Sequence, residues 1–247
     1  IDFAKLQPVE KDILTKLSST VAKVSSYMDK YEYSMASSYL YSFVYDDFCS
    51  SYLEMSKVAL RGDDEKYKIV VKSILLYILK DIIIMIYPYA PFFGEELYQA
   101  LPEHKKSIML ETYPSIEQYP DADLSDVDAL YKMIQDIRNY KVTNKLAPNY
   151  KLKLLIECSH PLFDGFEQYL SRFSFAKNIQ ILGKVSSNGI KYIYSNMLLY
   201  IEDDISEEDK ALKIAKDIAF LESEIQRSEG MLSNPNFVNK APKEKVE

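Results

Sequence analysis

The chain has 247 residues, 47% hydrophobic and 27% charged, with a formal net charge of −7. Only 6 Gly and 10 Pro exclude a fibrous or low-complexity protein and argue against an all-β one, and 2 Cys exclude a disulfide scaffold. The acidic total excludes a uniformly basic nucleic-acid coat, so any polyanion site has to be a local patch.

The opening, IDFAKLQPVEKD, has no initiator Met, no basic leader and no apolar signal core. It is expected to lie inside a longer chain, in a reducing, cytoplasmic setting. Val9 to Met28 places Ile13, Leu14, Leu17, Val21 and Val24 near the 3.6 period and predicts a helix. Ser34 to Leu60 predicts a long Tyr-rich helix, broken at Arg61-Gly62-Asp63-Asp64, with Tyr31, Tyr33, Tyr39 and Tyr41 assigned to the core. Glu65 to Tyr87 is apolar around most of its circumference, as expected of a central bundle helix. The longest uncharged run, Ile82 to Phe93, is too short to span a membrane. The helix ends before Pro88, and Pro91 opens a short one, Phe92 to Leu101, whose Glu95 and Glu96 are expected to cap or brace the bundle. After an irregular stretch with Pro114 and Pro120, Ser125 is expected to cap a helix running to Asn144, with Asp126 and Asp128 near its N-terminal dipole.

Beyond that helix the character changes. Lys151 to Cys158 alternates as a strand, and Leu162 to Phe173 reads as a helix. Ile179 to Leu182, Ile190 to Tyr194 and Met197 to Ile201 read as strands, separated by Gly183 and Asn188-Gly189. Ser206 and Asp209 resemble a capping box. From there Ala211, Ile214, Ile218, Leu221, Ile225, Ser228 and Leu232 repeat at alternating spacings of three and four, a coiled-coil seam that Asn234-Pro235 stops. The fold expected is mainly α: a helical bundle over 1–145, a small α/β subdomain over 146–205, and a C-terminal coiled-coil helix over 206–247. A single seam needs something to bury against, so it is expected to pair with another copy or to fold back on its own bundle.

No catalytic constellation is legible. His104 and His160 are isolated, and Cys49 and Cys158 lack the spacing of a zinc site. Ser159-His160 precedes Pro161 as a turn, not as a nucleophile with its base. Glu202-Asp203-Asp204 and Glu207-Glu208-Asp209 lack the glycine and periodicity of a calcium loop and read as a solvated helix start. No glycine-rich phosphate loop is present, and Glu54-Met55-Ser56-Lys57 is a chance tetrapeptide within a helix. The basic residues Lys132, Arg138, Lys141, Lys145, Lys151 and Lys153, by contrast, surround a single acid, Asp136. Val127, Leu130, Ile134 and Ile137 form an apolar stripe that Arg138, Lys141 and Lys145 continue. The helix is expected to emerge from the bundle there and offer cations to a polyanion, with Tyr140 placed to stack on an unpaired base. The alternative is a solvated helix end whose cations complement the C-terminal dipole; composition leaves both open.

Several segments resemble those of one family. MLS followed by NPNFVNKAP (Asn234 to Pro242), after a heptad helix, resembles the Phe-Val-x-Lys-Ala-Pro turn between the two antiparallel C-terminal arms of valyl-tRNA synthetases. In the same order, FVYDDFCSSYLEMSK (Phe43 to Lys57) resembles that family's Phe-x-Trp…Phe-Cys-Asp-Trp-Tyr-x-Glu…Lys helix. IYPYAPFFGEELYQAL with KSIMLETYP resembles its His-Pro-Phe-x-Pro-Phe-x-x-Glu-Glu-Leu-Trp and Ser-Ile-Met…Trp-Pro segments, and IQDIRNYKVTNKLAP its Ile-Arg-Asn-x-Arg helix. The Pro-Phe-x-x-Glu-Glu segment is shared with the isoleucyl and leucyl enzymes; the arm turn is the more specific. There are departures. The family's tryptophans are Tyr45, Tyr98 and Tyr113 here, its Asp-Trp is Ser50-Ser51, and its His before Pro is Tyr87. Its second Arg of the Ile-Arg-Asn motif is Lys141, which keeps the charge but loses the planar fork.

The resemblance implies an anticodon-binding bundle of the class I synthetase type, an α/β insertion, and the first arm of a truncated coiled-coil hairpin. It implies tRNA(Val) as partner and, for the whole enzyme, a monomer without membrane attachment that charges that tRNA with valine. ATP with Mg is implied for a catalytic domain outside this chain, which holds no cofactor, metal or catalytic residue of its own. On that footing Arg138, Lys141 and Lys145 are expected to contact phosphates, and Asn139 to read a base or serve as a cap. Lys240, Lys243 and Lys245 are expected at the arm's tip. The alternatives are the same region of an isoleucyl-type enzyme, against which FVNKAP and the lack of paired CxxC motifs argue, and a free-standing helical module whose seam binds a partner helix.

Overall fold

In the computed structural model, residues 6–117, 119, 123–187, 189–202, 218, 222–223 and 225–230 are described. The chain divides into two units, 1–202 and 203–247, each considered by itself.

The first unit is a helical body that carries a four-stranded sheet. Its helices are α1 (Pro8–Asp29), α2 (Tyr33–Ser42), a π-helical stretch (Phe43–Tyr52), α3 (Leu53–Arg61), α4 (Glu65–Ile86), α5 (Pro91–Gln99) and α6 (Ser125–Thr143). Pro8 opens α1, where its missing N–H costs nothing, and the face expected from periodicity (Val9, Ile13, Leu14, Leu17, Val21, Val24) is buried. Asp64 caps α4, its carboxylate accepting the amides of Lys66 and Tyr67 at 3.0 and 3.1 Å.

From Tyr33 to Arg61 the chain is one helical rod with a widened middle. There the Leu53 amide reaches back five residues to the Phe48 carbonyl, and Ser51 Oγ donates to the Asp46 carbonyl at 2.8 Å. The wider winding puts Phe43, Phe48 and Tyr52 on the buried side and turns Tyr41 and Tyr45 outward. The core assignment of Tyr31, Tyr33 and Tyr41 is thereby corrected, since all three are exposed. Tyr41 stacks on Tyr45 at 4.6 Å, so the two rings shield one another rather than entering the core. Tyr39 alone of the four packs on the core.

α4 also departs from expectation. It buries Val71, Ile74, Ile78, Ile82 and Met85. Ile69, Leu76 and Leu79 are exposed, so the first turns of the helix lie at the outside of the body, whereas Ile82, Ile83, Ile84 and Met85 bury its last turn on every side. Glu95 braces the segment after α5, as expected: its carboxylate accepts from Ser107 Oγ at 2.9 Å and the Ile108 amide at 3.1 Å. At the start of α6 the capping side chain is Asp123, which accepts the Ser125 amide at 3.0 Å. Ser125 already has helical geometry, so its hydroxyl cannot cap and instead accepts from Asn196 Nδ2 at 3.2 Å.

The sheet consists of β1 (Lys153–Cys158), β2 (Asn178–Leu182), β3 (Ile190–Ile193) and β4 (Met197–Glu202), in the order β2-β1-β4-β3. β1 runs parallel to β2, and α7 (Phe166–Ser174) makes the crossover. β4 is antiparallel to both β1 and β3, with Ile156 opposite Leu199. One hydrophobic core runs from Val9 and Ile13 of α1 through Ile137 of α6 to Ile156 and Ile201 of the sheet. The sheet is thus built onto the helical body and shares its core.

In the second unit, residues 218, 222–223 and 225–230 are helical, and Ile218 and Ile225 of the expected seam are exposed. Ser228 of the seam is exposed too; Ala211, Ile214, Leu221 and Leu232, the Ser206 cap, the FVNKAP turn, and Lys240, Lys243 and Lys245 lie outside the described residues. Among the described residues, no helix is long and apolar enough to cross a membrane.

Candidate nucleic-acid interface

α6 buries Val127, Leu130, Met133, Ile134 and Ile137 along one stripe. Lys141 is the next position on that stripe, four residues after Ile137, and the stripe does not leave the protein there. Lys141 is only 3% exposed. Its Nζ donates to the Ser174 carbonyl at 2.6 Å and the Pro148 carbonyl at 2.9 Å. It also lies 5.6 Å from the centre of the Phe175 ring. Burial lowers its pKa from the usual lysine value. The expectation that Lys141 contacts phosphate is corrected: its ammonium is committed to two carbonyls at the seam between α6 and the sheet unit. Tyr140 is buried as well, so it offers no ring for a base.

Arg138 and Asn139 sit in the turn before Lys141, Arg138 on the flank of the buried stripe and Asn139 on the side away from it, and both are exposed. Lys132, Gln135, Arg138, Asn139 and Val142 recur at helical spacing and form the solvent face of α6. Among the described residues, neither the Arg138 nor the Asn139 side chain is drawn into a hydrogen bond or ion pair. A guanidinium beside a carboxamide combines a phosphate-binding fork with a group able to donate and accept at a base edge.

Lys145 is placed by the helix end. The Leu146 amide returns to the Lys141 carbonyl at 2.8 Å and the Lys145 amide to the Val142 carbonyl at 2.9 Å. This pattern requires a left-handed residue between them, usually glycine, and Lys145 takes it with φ 53°. The Asn144 side chain fastens the same turn by donating to the Tyr140 carbonyl at 2.9 Å. Lys145 is exposed there, so the cap fixes where its chain leaves the protein.

Sequence reasoning missed the exposed Tyr41–Tyr45 stack, although a signal was present. The apolar positions Phe43, Phe48 and Tyr52 are spaced by five and four, wider than an α-helix, and this spacing sends the intervening tyrosines outward.

The model of the anticodon-binding domain of tRNA ligase matches residues 10–156, which include all of α6, and that of the valyl tRNA synthetase tRNA binding arm matches residues 204–247. The valine–tRNA ligase of Enterococcus faecalis is 31% identical over 258 residues, covering 100% of this chain and 29% of that protein. The one from Bacillus subtilis is 28% identical over 245 residues, covering 94% and 28%. The one from Mycoplasma mycoides is 33% identical over 243 residues, covering 95% and 27%. The chain thus spans less than a third of the length of the curated relatives it matches.

Proposed function

Because this chain belongs to the anticodon-binding domain family of tRNA ligases, as the C-terminal part of a valyl-tRNA synthetase, we propose that it recognises tRNA(Val) for a ligase that charges that tRNA with valine. The observation that carries the reading is the Arg138–Asn139 pair, exposed on α6 within the matched anticodon-binding region.

Anticodon-loop bases are unpaired and can be splayed and read at their edges. Arg138 and Lys145 hold the backbone by charge, and Asn139 reads a base. Lys240, Lys243 and Lys245, within the matched tRNA-binding arm, extend the backbone contact toward the tRNA's outer corner. The coiled-coil seam completes itself with a second helix, and in its absence copies of this chain pair through it; the whole ligase acts in the cytoplasm as a monomer.

ATP with Mg belongs to the remainder of such a ligase. The residues here do not fit it: the chain's 6 Gly form no phosphate loop, and among the described residues no group of three His, Cys, Asp or Glu side chains is placed to hold a metal ion. No step through ATP is derived.

The test is tRNA binding by this chain across a salt series, comparing tRNA(Val) with the same tRNA carrying a swapped anticodon. Preferential binding of the correct anticodon is expected. Equal, strongly salt-dependent binding of both would confine the chain to backbone contacts, and no binding at low salt would sink the reading.

A further inference from the structure

Among the described residues, three that are not glycine adopt a left-handed backbone: Tyr31, Lys145 and Phe175. Each follows the end of a helix, where glycine would serve without strain and a bulky aromatic residue is an outlier. Phe175 closes α7 with φ 53° and ψ 35°. Its ring is 51% exposed, so burial does not account for its presence there. A side chain held in a disfavoured conformation with little packing to repay it points to a use for its display.

The turns that carry Phe175 and Lys145 are fastened to one another. Lys141 Nζ, buried between them, donates to the Pro148 carbonyl, three residues after Lys145, and to the Ser174 carbonyl, next to Phe175. The Lys177 amide donates to the Leu152 carbonyl at 2.8 Å, so residues 174–177 run beside residues 148–152. The Lys141 ammonium lies over the Phe175 ring, 5.6 Å from its centre. That ammonium is on the buried side, so the opposite face of the ring is the one turned to solvent.

The surroundings are basic. Neither 143–153 nor 174–178 contains an acid, and Lys145, Lys151 and Lys177 within them are exposed. Lys153 is paired with Glu202 at 2.6 Å and is not counted with the three. In a chain of net charge −7, this is a local gathering of cations beside one accessible aromatic face. Tyr31 is exposed as well, but Asp29 and Glu32 stand beside it in the sequence.

We propose that Phe175 is a stacking platform for an unpaired base of the bound tRNA, with Lys145, Lys151 and Lys177 holding the phosphates that flank that base. The face of a phenyl ring has no donor or acceptor, so it takes any base, but only one that has left its own stack. The contact therefore selects a single-stranded stretch of the tRNA. It adds to Arg138 and Asn139 an aromatic contact outside α6 and outside the matched residues 10–156. The inference rests on the reading that this chain binds tRNA.

The test uses the whole chain. It contains no Trp, so Phe175→Trp installs its only indole. The indole fluorescence is expected to be quenched by tRNA and by a short single-stranded RNA, and not by an RNA duplex. In filter binding, Phe175→Ala and Phe175→Leu are each expected to weaken tRNA binding about tenfold, the range of one base stack, without changing the salt slope. Phe175→Trp is expected to bind at least as tightly as the parent, which a merely apolar role for the ring does not produce. Phe175→Gly suits the left-handed turn, keeps the fold, and is expected to lose as much as Phe175→Ala. Lys151→Ala and Lys177→Ala are each expected to lower the salt slope by about 0.7, the value for a single-stranded phosphate contact. Binding of tRNA without quenching of the indole, or binding by Phe175→Gly equal to the parent's, overturns the platform and leaves the tRNA reading in place. No binding of tRNA by the parent at low salt overturns that reading, and the platform with it.

Discussion

Lys141 Nζ lies 2.6 Å from the carbonyl oxygen of Ser174, a residue 33 positions further along the chain. The bond ties the last turn of α6 to the end of α7, and Pro148 accepts from the same ammonium. Lys141→Met removes the donor and leaves two carbonyls without it. A loss of about 2 kcal/mol in urea unfolding is expected, the usual cost of stranding buried acceptors. At a temperature where the variant is folded, the salt dependence of its tRNA binding is expected to match the parent's, since the ammonium does not face solvent.

Arg138 and Asn139 divide the work of binding differently. Arg138→Ala is expected to lower the slope of log K against log salt by about one unit for both anticodons. Asn139→Ala is expected to leave that slope alone and to narrow the preference between anticodons. Both positions are exposed, so unfolding free energies are expected to stay within about 0.5 kcal/mol of the parent. A loss of stability in Asn139→Ala, with anticodon preference intact, would assign it a structural role.

Lys145 allows binding and stability to be pulled apart in opposite directions. Its left-handed backbone costs a side-chain-bearing residue about 1 kcal/mol, which glycine does not incur. Lys145→Gly is therefore expected to raise stability by about that amount in urea unfolding while it weakens tRNA binding.

Glu10 supplies a pH signature. It is fully buried, with Tyr67 OH donating to one carboxyl oxygen and the other oxygen without a partner among the described residues. Burial raises its pKa from 4.5 to about 7. Between those values the folded chain keeps a proton that the unfolded chain has released. The stability contributed by the neutral carboxyl is thus complete below about pH 4.5 and is lost as pH rises through about 7. Glu10→Gln is expected to remove this decline, worth on the order of 3 kcal/mol, from urea midpoints measured between pH 5 and pH 8. Asp81, raised by burial to about 6, acts in the same direction and stays in both proteins.

Where one face decided the matter, the sequence was a good guide. The stripe in α1 read correctly because its side chains have one direction in which to bury, and β1 was legible as a strand although Leu154, Leu155 and Ile156 bury both of its faces. Errors arose where several directions were open. α4 has apolar residues on nearly every side, so composition alone could not say that Ile69, Leu76 and Leu79 would face water. Lys141 was misread because a cation at the end of an apolar stripe suggests an exit from the core, whereas the two carbonyls that accept it belong to segments whose position the spacing does not reveal. The contact of His160 with Asp126 was invisible for the same reason, as Asp126 precedes His160 by 34 residues.

The wide turns from Phe43 to Tyr52 hold more residues per turn than α2 and α3 on either side. The phase of α3 therefore differs from that of a continuous α-helix. Each residue deleted from this stretch at unchanged winding swings α3 about its axis by somewhat less than the roughly 100° of an α-helix, carrying Met55 and Ser56 out of their buried positions. Tyr45, Asp46, Cys49 and Ser50 face solvent and tolerate exchange. In this part of the rod, mutation has more latitude to change letters than to change their number.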